Sequence, residues 1–124
     1  MVISPQKFIS LGETSDKMMF CQIKIGTSAY NTKICEGKSK PSWDENIEIR
    51  KNLEENVIIA QVWNFSKDSK EELVGETNID LNSKEIDIYK KLTIKNEFPI
   101  QKNGDKKGNL LMEISWLSDE KIDF

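Results

Sequence analysis

The amino-acid sequence predicts an all-β fold, an eight-stranded antiparallel β-sandwich, and three observations lead to this prediction. Apolar and polar residues alternate along several short segments, as they do in strands that bury one face. Turn-forming residues separate these segments at short intervals. No window sustains the three- and four-residue spacing of apolar residues that an amphipathic helix requires. Many short strands between regular turns are typical of a sandwich or barrel.

The individual strands follow from this alternation in chain order. In the second strand Cys21, Ile23 and Ile25 share one face, and the same period recurs up to the last strand. Pro5 makes the first strand the weakest prediction, because proline cannot donate to a ladder. The predicted strands are Val2–Ser4 (extending towards Ile9), Met19–Ile25, Tyr30–Cys35, Trp43–Arg50, Val57–Trp63, Glu72–Leu81, Tyr89–Lys95 and Asn109–Leu117. The segment Leu81–Tyr89 is predicted to hold one helical turn.

Length and composition predict one soluble domain that spans residues 1–124. A chain of 124 residues suits a single domain, and its mean hydropathy is -0.55. The sequence has neither a run of about 18 apolar residues nor the layout of a secretory signal. These features predict a cytoplasmic location, with peripheral association at membranes. The formal charge of -3 argues against nucleic acid as a partner, and nothing in the sequence indicates an oligomeric state.

The reactive side chains do not indicate catalysis. Cys21 and Cys35 lie in apolar segments and are predicted to be reduced, buried and inert, with a disulfide between neighbouring strands as the less favoured alternative. The chain contains no histidine, which excludes Ser-His and Cys-His nucleophile pairs and imidazole metal ligands. No constellation of carboxylates or lysines is recognisable. The sequence therefore predicts a binding module and not an enzyme.

Two segments carry a resemblance to a known family. Thr32–Glu45 contains T-K, a turn and then P-S-W-D-E, and Val62-Trp63-Asn64 precedes a loop and Val74-Gly75-Glu76. Both segments resemble signatures of the C2 domain, and weaker matches keep the family order from Met19 to Leu117. The resemblance implies a non-catalytic targeting domain. Because the chain ends on a strand of the form G-x-L, it also favours the type II, phospholipase-like strand order.

Several signature residues have structural interpretations that need no ligand. The predicted roles are a core position for Trp43, Trp63 and Trp116, a hydrogen bond to nearby backbone for Glu45, and a close backbone approach or a bulge at Gly75.

Calcium-binding members of this family hold the ion with loop aspartates, and the resemblance implies that most of these are missing here. The first and second positions of the loop after Trp63 are Asn64 and Ser66, and its last is Glu72. Asp16 falls out of register in the preceding loop, and Asp68 is acidic but off the family positions. We therefore expect no cofactor, and at most weak calcium binding through this degenerate set: Asp16, Asn64, Ser66, Asp68 and Glu72.

Lysines suggest a different ligand. The residues from Gln22 to Lys40 contain one acid and four lysines. Lys24 and Lys33 resemble in position the lipid-binding lysines of some C2 domains, and Lys38 and Lys40 follow them. The predicted lipid-binding residues are Lys24, Lys33, Lys38 and Lys40. The predicted function is calcium-independent docking on an anionic phospholipid membrane or on a protein partner. The alternative is a protein–protein scaffolding domain without lipid binding.

Overall fold

A computed structural model describes residues 2–11, 18–36, 41–49, 57–65, 70–81 and 93–115. These residues form nine strands. In chain order they are β1 (Val2–Ser10), β2 (Met18–Ile25), β3 (Ser28–Asn31), β4 (Cys35–Glu36), β5 (Ile47–Glu48), β6 (Val57–Phe65), β7 (Glu71–Asp80), β8 (Thr93–Lys102) and β9 (Asp105–Ser115). Every recorded pair of strands is antiparallel, which confirms the predicted all-β class.

The strands form one continuous hydrogen-bonded path, β3-β2-β6-β7-β8-β9-β1-β5, with β4 also paired to β2. The path is joined by a single ladder pair between β7 and β8, so we describe its two halves as two sheets: β3-β2-β6-β7 with β4 is the first sheet, and β8-β9-β1-β5 is the second. Buried residues recur at every second position of β2 and β9, so each sheet has an inner and an outer face. The last strand lies beside the first, as the type II order predicts.

The two sheets meet edge to edge at one point. Among the described strands, β7 and β8 share a single ladder pair, Glu76 with Gln101. Gly75 lies next to this junction, and a Cβ atom there would lie 2.7 Å from Ile100 Cγ2 and 2.9 Å from the carbonyl oxygen of Gln101. The close backbone approach predicted for Gly75 is confirmed, because only a residue without a side chain fits this gap.

A single hydrophobic core fills the space between the sheets. Its most deeply buried side chains come from both sheets and include Ile23, Ile58 and Leu110. Trp43 closes the core beside β5, where its indole Nε1 donates a hydrogen bond of 3.1 Å to the carbonyl oxygen of Met19 in the first sheet. Its backbone N–H donates to the carbonyl of Gln6 in the second sheet. The predicted core position of Trp43 is confirmed.

The strand predicted at Tyr30–Cys35 was wrong in extent because side-chain hydrogen bonds interrupt the alternation. It is two short strands, since Thr32 turns inward between them. Thr32 Oγ1 accepts a hydrogen bond from the backbone of Cys21 and donates one to the carbonyl of Lys33.

The first strand agrees with the longer of its two predicted extents. It continues beyond Ser4 to Ser10, because the ladder passes Pro5 through an irregularity between Pro5 and Lys7.

Other boundaries also differ from the prediction. Of the strand predicted at Trp43–Arg50, the described part forms a strand at Ile47–Glu48, where it pairs with β1. The seventh predicted strand, at Tyr89–Lys95, corresponds to β8, which continues to Lys102 because an edge strand tolerates Pro99. The last turn is a tight hairpin at Asn103 and Gly104, both with positive φ, as an Asn-Gly type I′ turn requires. The predicted helical turn at Leu81–Tyr89 falls, except for Leu81, outside the described residues.

Both cysteines are free thiols. Cys21 is fully buried, and burial raises the pKa of its thiol, which keeps it protonated and unreactive at neutral pH. Cys35 is half-buried, which corrects the prediction that it is buried.

Candidate functional site

One end of the sandwich carries the segments in which the family places its ion ligands. The start of β2 pairs with the end of β6, through Met18 and Phe65, and the end of β1 pairs with the start of β9, through Ser10 and Gly108. The connections at this end are residues 11–17, residues 66–70 and the Asn103–Gly104 hairpin. We call it the loop end.

Asn64 is the best-defined of the predicted calcium positions. It lies one residue before the end of β6, between Met19 of β2 and Glu72 of β7. Its side-chain Oδ1 is buried and has no hydrogen-bond partner. An uncharged oxygen in this position is a weak ligand, and an unpaired buried acceptor costs about 1–3 kcal/mol.

The described residues at the loop end do not fit a calcium ion. Calcium takes six to eight oxygen ligands, mostly from carboxylates. The described ligand positions are the neutral amide of Asn64 and the exposed carboxylate of Glu72. No group of three or more acidic, cysteine or histidine side chains that could hold a metal occurs among the described residues. Asp16, Ser66 and Asp68 lie outside them.

We predict that Asn64→Asp destabilises the domain by about 1–3 kcal/mol in the presence of a chelator. The substitution puts a negative charge on a buried oxygen that has no hydrogen-bond donor. Urea denaturation at neutral pH measures the effect, and Asn78→Asp on the exposed side of β7 is the matched control. Equal stability of the two variants would contradict the burial of Asn64 Oδ1.

Two of the predicted lipid-binding lysines, Lys24 and Lys33, are among the described residues, and both lie at the β3 side of the first sheet. Lys24 is half-buried on the outer face of β2, opposite Ala29 and Ile59. Lys33 is exposed. It lines an open cleft of about 530 Å³ together with three acids: Glu36, Asp44 and Glu45.

The backbone N–H of Lys33 donates a hydrogen bond of 2.6 Å to Glu45 Oε2, which confirms the predicted bond of Glu45 to nearby backbone. Glu71 and Glu76 add negative charge on the β7 side of the same sheet. This charge distribution does not favour Lys24 and Lys33 as the main anion-binding surface. Lys38 and Lys40 lie outside the described residues.

An aromatic pair covers part of the outer face of the first sheet. The rings of Phe20 and Trp63 are stacked, with centroids 6.4 Å apart and an interplanar angle of 7°. Trp63 Nε1 donates a hydrogen bond of 3.1 Å to Gln61 Oε1. The prediction that Trp63 is a core residue was wrong, because its position in β6 points away from the second sheet. Trp116 lies outside the described residues.

The sequence reasoning missed a second basic surface, on the outer face of the second sheet. Lys106 and Lys107 begin β9 directly after the hairpin, and Lys7 lies further along the same face on β1. The Lys-Lys pair was visible in the sequence. Its proximity to β1 was not, because it depends on the pairing of the first strand with the last.

Comparisons with known proteins agree with this architecture. Residues 2–99 match the family model of the C2 domain. No curated protein sequence matches the chain. Among the described residues there is no helix with the length and apolar character needed to cross a membrane.

Several solved structures are similar in fold. A C2 domain-containing protein from an elicitor-responsive gene superposes with a TM-score of 0.77 at 18% identity, covering 94% of this chain and 86% of that one. A C2 domain of plant extended synaptotagmin 1 gives a TM-score of 0.69 at 14% identity, with coverages of 94% and 95%. Human GIVD cytosolic phospholipase A2 gives 0.69 at 12% identity, covering 90% of this chain and 16% of that one. At these identities the similarity shows the fold.

Proposed function

Because the chain belongs to the C2 domain family, we propose that it is a non-catalytic binding module that docks on anionic phospholipid membranes without calcium. Cytoplasmic location and peripheral membrane association follow from this proposal. Domains of this fold also occur within longer chains, since this chain covers 41% of a structure of extended synaptotagmin 2 and 16% of cytosolic phospholipase A2.

The main support for binding without calcium is the neutral, unpaired side chain of Asn64. In a calcium site this position supplies negative charge that only the ion offsets. Here the residue is neutral, and its Oδ1 is buried without a partner. The described part of the loop end therefore needs no cation to relieve repulsion between carboxylates.

A vesicle sedimentation experiment tests this function. The protein is mixed with vesicles of phosphatidylcholine alone or with added phosphatidylserine, each in calcium or in a chelator. We expect binding to the phosphatidylserine vesicles that is equal in calcium and in chelator, and that weakens as salt is added, since salt screens charge attraction.

Two outcomes would contradict the proposal. Binding that requires calcium would show that residues outside the described part complete a metal site. Absence of binding to either kind of vesicle would favour the scaffolding alternative, in which the partner is a protein.

A further inference from the structure

The second sheet has a surface at the loop end that combines basic and apolar side chains. It consists of outward-facing residues of three adjacent strands and of the residue that follows β1. We call it the hairpin face, and its members are Lys7, Ile9, Leu11, Pro99, Lys106, Lys107 and Leu111.

Strand register brings these residues together. Across the sheet, Asn109 of β9 pairs with Ile9 of β1 and with Pro99 of β8. One row further from the hairpin, Leu111 pairs with Lys7 of β1.

Leu11 is held against the hairpin. Its backbone N–H donates a hydrogen bond of 3.0 Å to the carbonyl of Lys107. A leucine and two lysines are therefore neighbours at the loop end.

The charge of the hairpin face is basic although the whole chain is acidic. Lys7, Lys106 and Lys107 lie on it, and Lys102 lies at the base of the same turn. The neighbouring acids are Asp105 in the hairpin, Glu97 opposite Leu111, Glu113 one outward position beyond Leu111, and Glu76, which pairs with Gln101 beside Lys106. Lys95 pairs with Glu113, so five described lysines face four acids here, whereas the chain as a whole carries a formal charge of -3.

The outer face of the first sheet shows the opposite balance. Its described charged residues include Lys24 and the acids Glu71 and Glu76, and Lys33 shares a cleft with three more acids. A negatively charged surface is therefore attracted more strongly to the hairpin face than to the face predicted from the sequence.

The apolar part of the hairpin face is suited to a membrane interface. Leu11 has 68% of its surface exposed, the largest fraction among the large apolar side chains of the described residues. Ile9 and Leu111 are half-buried beside it, and Pro99 is exposed. Lysine side chains next to apolar residues can place their ammonium groups at lipid phosphates while their methylene chains stay in contact with the apolar surface.

We propose that the domain contacts an anionic phospholipid bilayer through the hairpin face, with Lys106 and Lys107 at the headgroups and Leu11 entering the interface. This inference rests on the proposed function and specifies its surface. In this orientation the half-buried Trp63 and the cleft around Lys33 lie on the first sheet, away from the bilayer, and remain accessible to another partner.

Paired neutral variants test the proposal by vesicle sedimentation in chelator. K106Q/K107Q removes two charges from the hairpin face, and K24Q/K33Q removes two from the first sheet. Since a lysine near an anionic surface contributes about a 5-fold gain in affinity, we expect K106Q/K107Q to lose about 30-fold on phosphatidylserine vesicles. We expect K24Q/K33Q to stay close to the wild-type protein.

A second pair of variants tests the contribution of the apolar side chain of Leu11. Leu11→Ser should weaken binding by about 10-fold, since it removes an exposed apolar side chain that would leave water at the interface. Val57→Ser is the control, because Val57 is also exposed, at 47%, but lies at the start of β6, away from the loop end. Thermal unfolding of each variant checks that the fold is retained.

The results distinguish this inference from the proposed function. If the wild-type protein binds phosphatidylserine vesicles and K106Q/K107Q binds equally well, the proposed contact through the hairpin face is contradicted. The proposed membrane binding is then still supported. A larger loss for K24Q/K33Q than for K106Q/K107Q would overturn the inference in favour of the first sheet. If the wild-type protein binds no vesicles, both proposals fail.

Discussion

Replacement of Trp43 by alanine is expected to destabilise the domain by about 3–5 kcal/mol, the usual cost of truncating a large buried aromatic side chain. Trp43 connects the β5 side of the second sheet to the first sheet. Its indole fills the core and donates to the carbonyl of Met19, and its backbone N–H donates to Gln6. Since a domain of this size is stable by only about 5–15 kcal/mol, the loss removes a large part of its stability.

Urea denaturation, followed by circular dichroism, measures this change. Trp43→Phe is the companion variant, because it keeps an aromatic ring in the core and removes the hydrogen bond to Met19. We expect it to cost about 1–2 kcal/mol, which also leaves a folded protein to study if the alanine variant does not fold. Equal losses of unfolding free energy in Trp43→Ala and Trp43→Phe would mean that the aromatic ring itself contributes little to stability.

Replacement of Gly108 by alanine is expected to cost about 3 kcal/mol, at the upper end of the range for overpacked cores. A Cβ atom at this position would collide with the carbonyl oxygen of Ile9 and would lie 2.8 Å from two ring atoms of Phe8. Neither the carbonyl oxygen of Ile9 nor the ring of Phe8 can move away easily. The carbonyl belongs to the paired strand β1, and Phe8 is fully buried in the core.

Gly104→Asn is the control for Gly108→Ala. A Cβ atom at Gly104 meets nothing within 4 Å, and its φ of +85 is one that asparagine tolerates better than alanine. We expect its unfolding midpoint in urea to remain close to that of the wild-type protein. A small effect of Gly108→Ala would show that β1 and β9 can move apart without loss of the core.

The fold was predictable where alternation and turn chemistry act locally. Cys21, Ile23 and Ile25 identify β2 and its inner face without further information. The end of the third predicted strand was not predictable in this way, because it depends on hydrogen bonds of Thr32 Oγ1 with the backbone of Cys21 and Lys33. The seventh predicted strand stopped before Pro99, and only the place of that proline on an edge strand explains why β8 continues through it.

The candidate site was predictable only in part, for a similar reason. The family resemblance identified Asn64 as a calcium position that has lost its charge, but not that its Oδ1 is buried and unpaired. Lys24 and Lys33 were predicted from the strand positions of lipid-binding lysines in the family, and Lys38 and Lys40 follow them in the sequence. Two of the acids around Lys33, Asp44 and Glu45, come from a separate segment, so the charge balance depends on tertiary structure.

The pairing of the first strand with the last has a mechanical consequence. Val2, where β1 begins, is paired with Ser115, where β9 ends, and their ladder then runs antiparallel to Ser10 and Gly108 at the loop end. Tension applied to the chain on the two sides of this ladder would open its pairs one after another from the Val2 end, as in a zipper. The force would not act on all the pairs at once, as it does in shear. The pairs at the loop end would be the last to break.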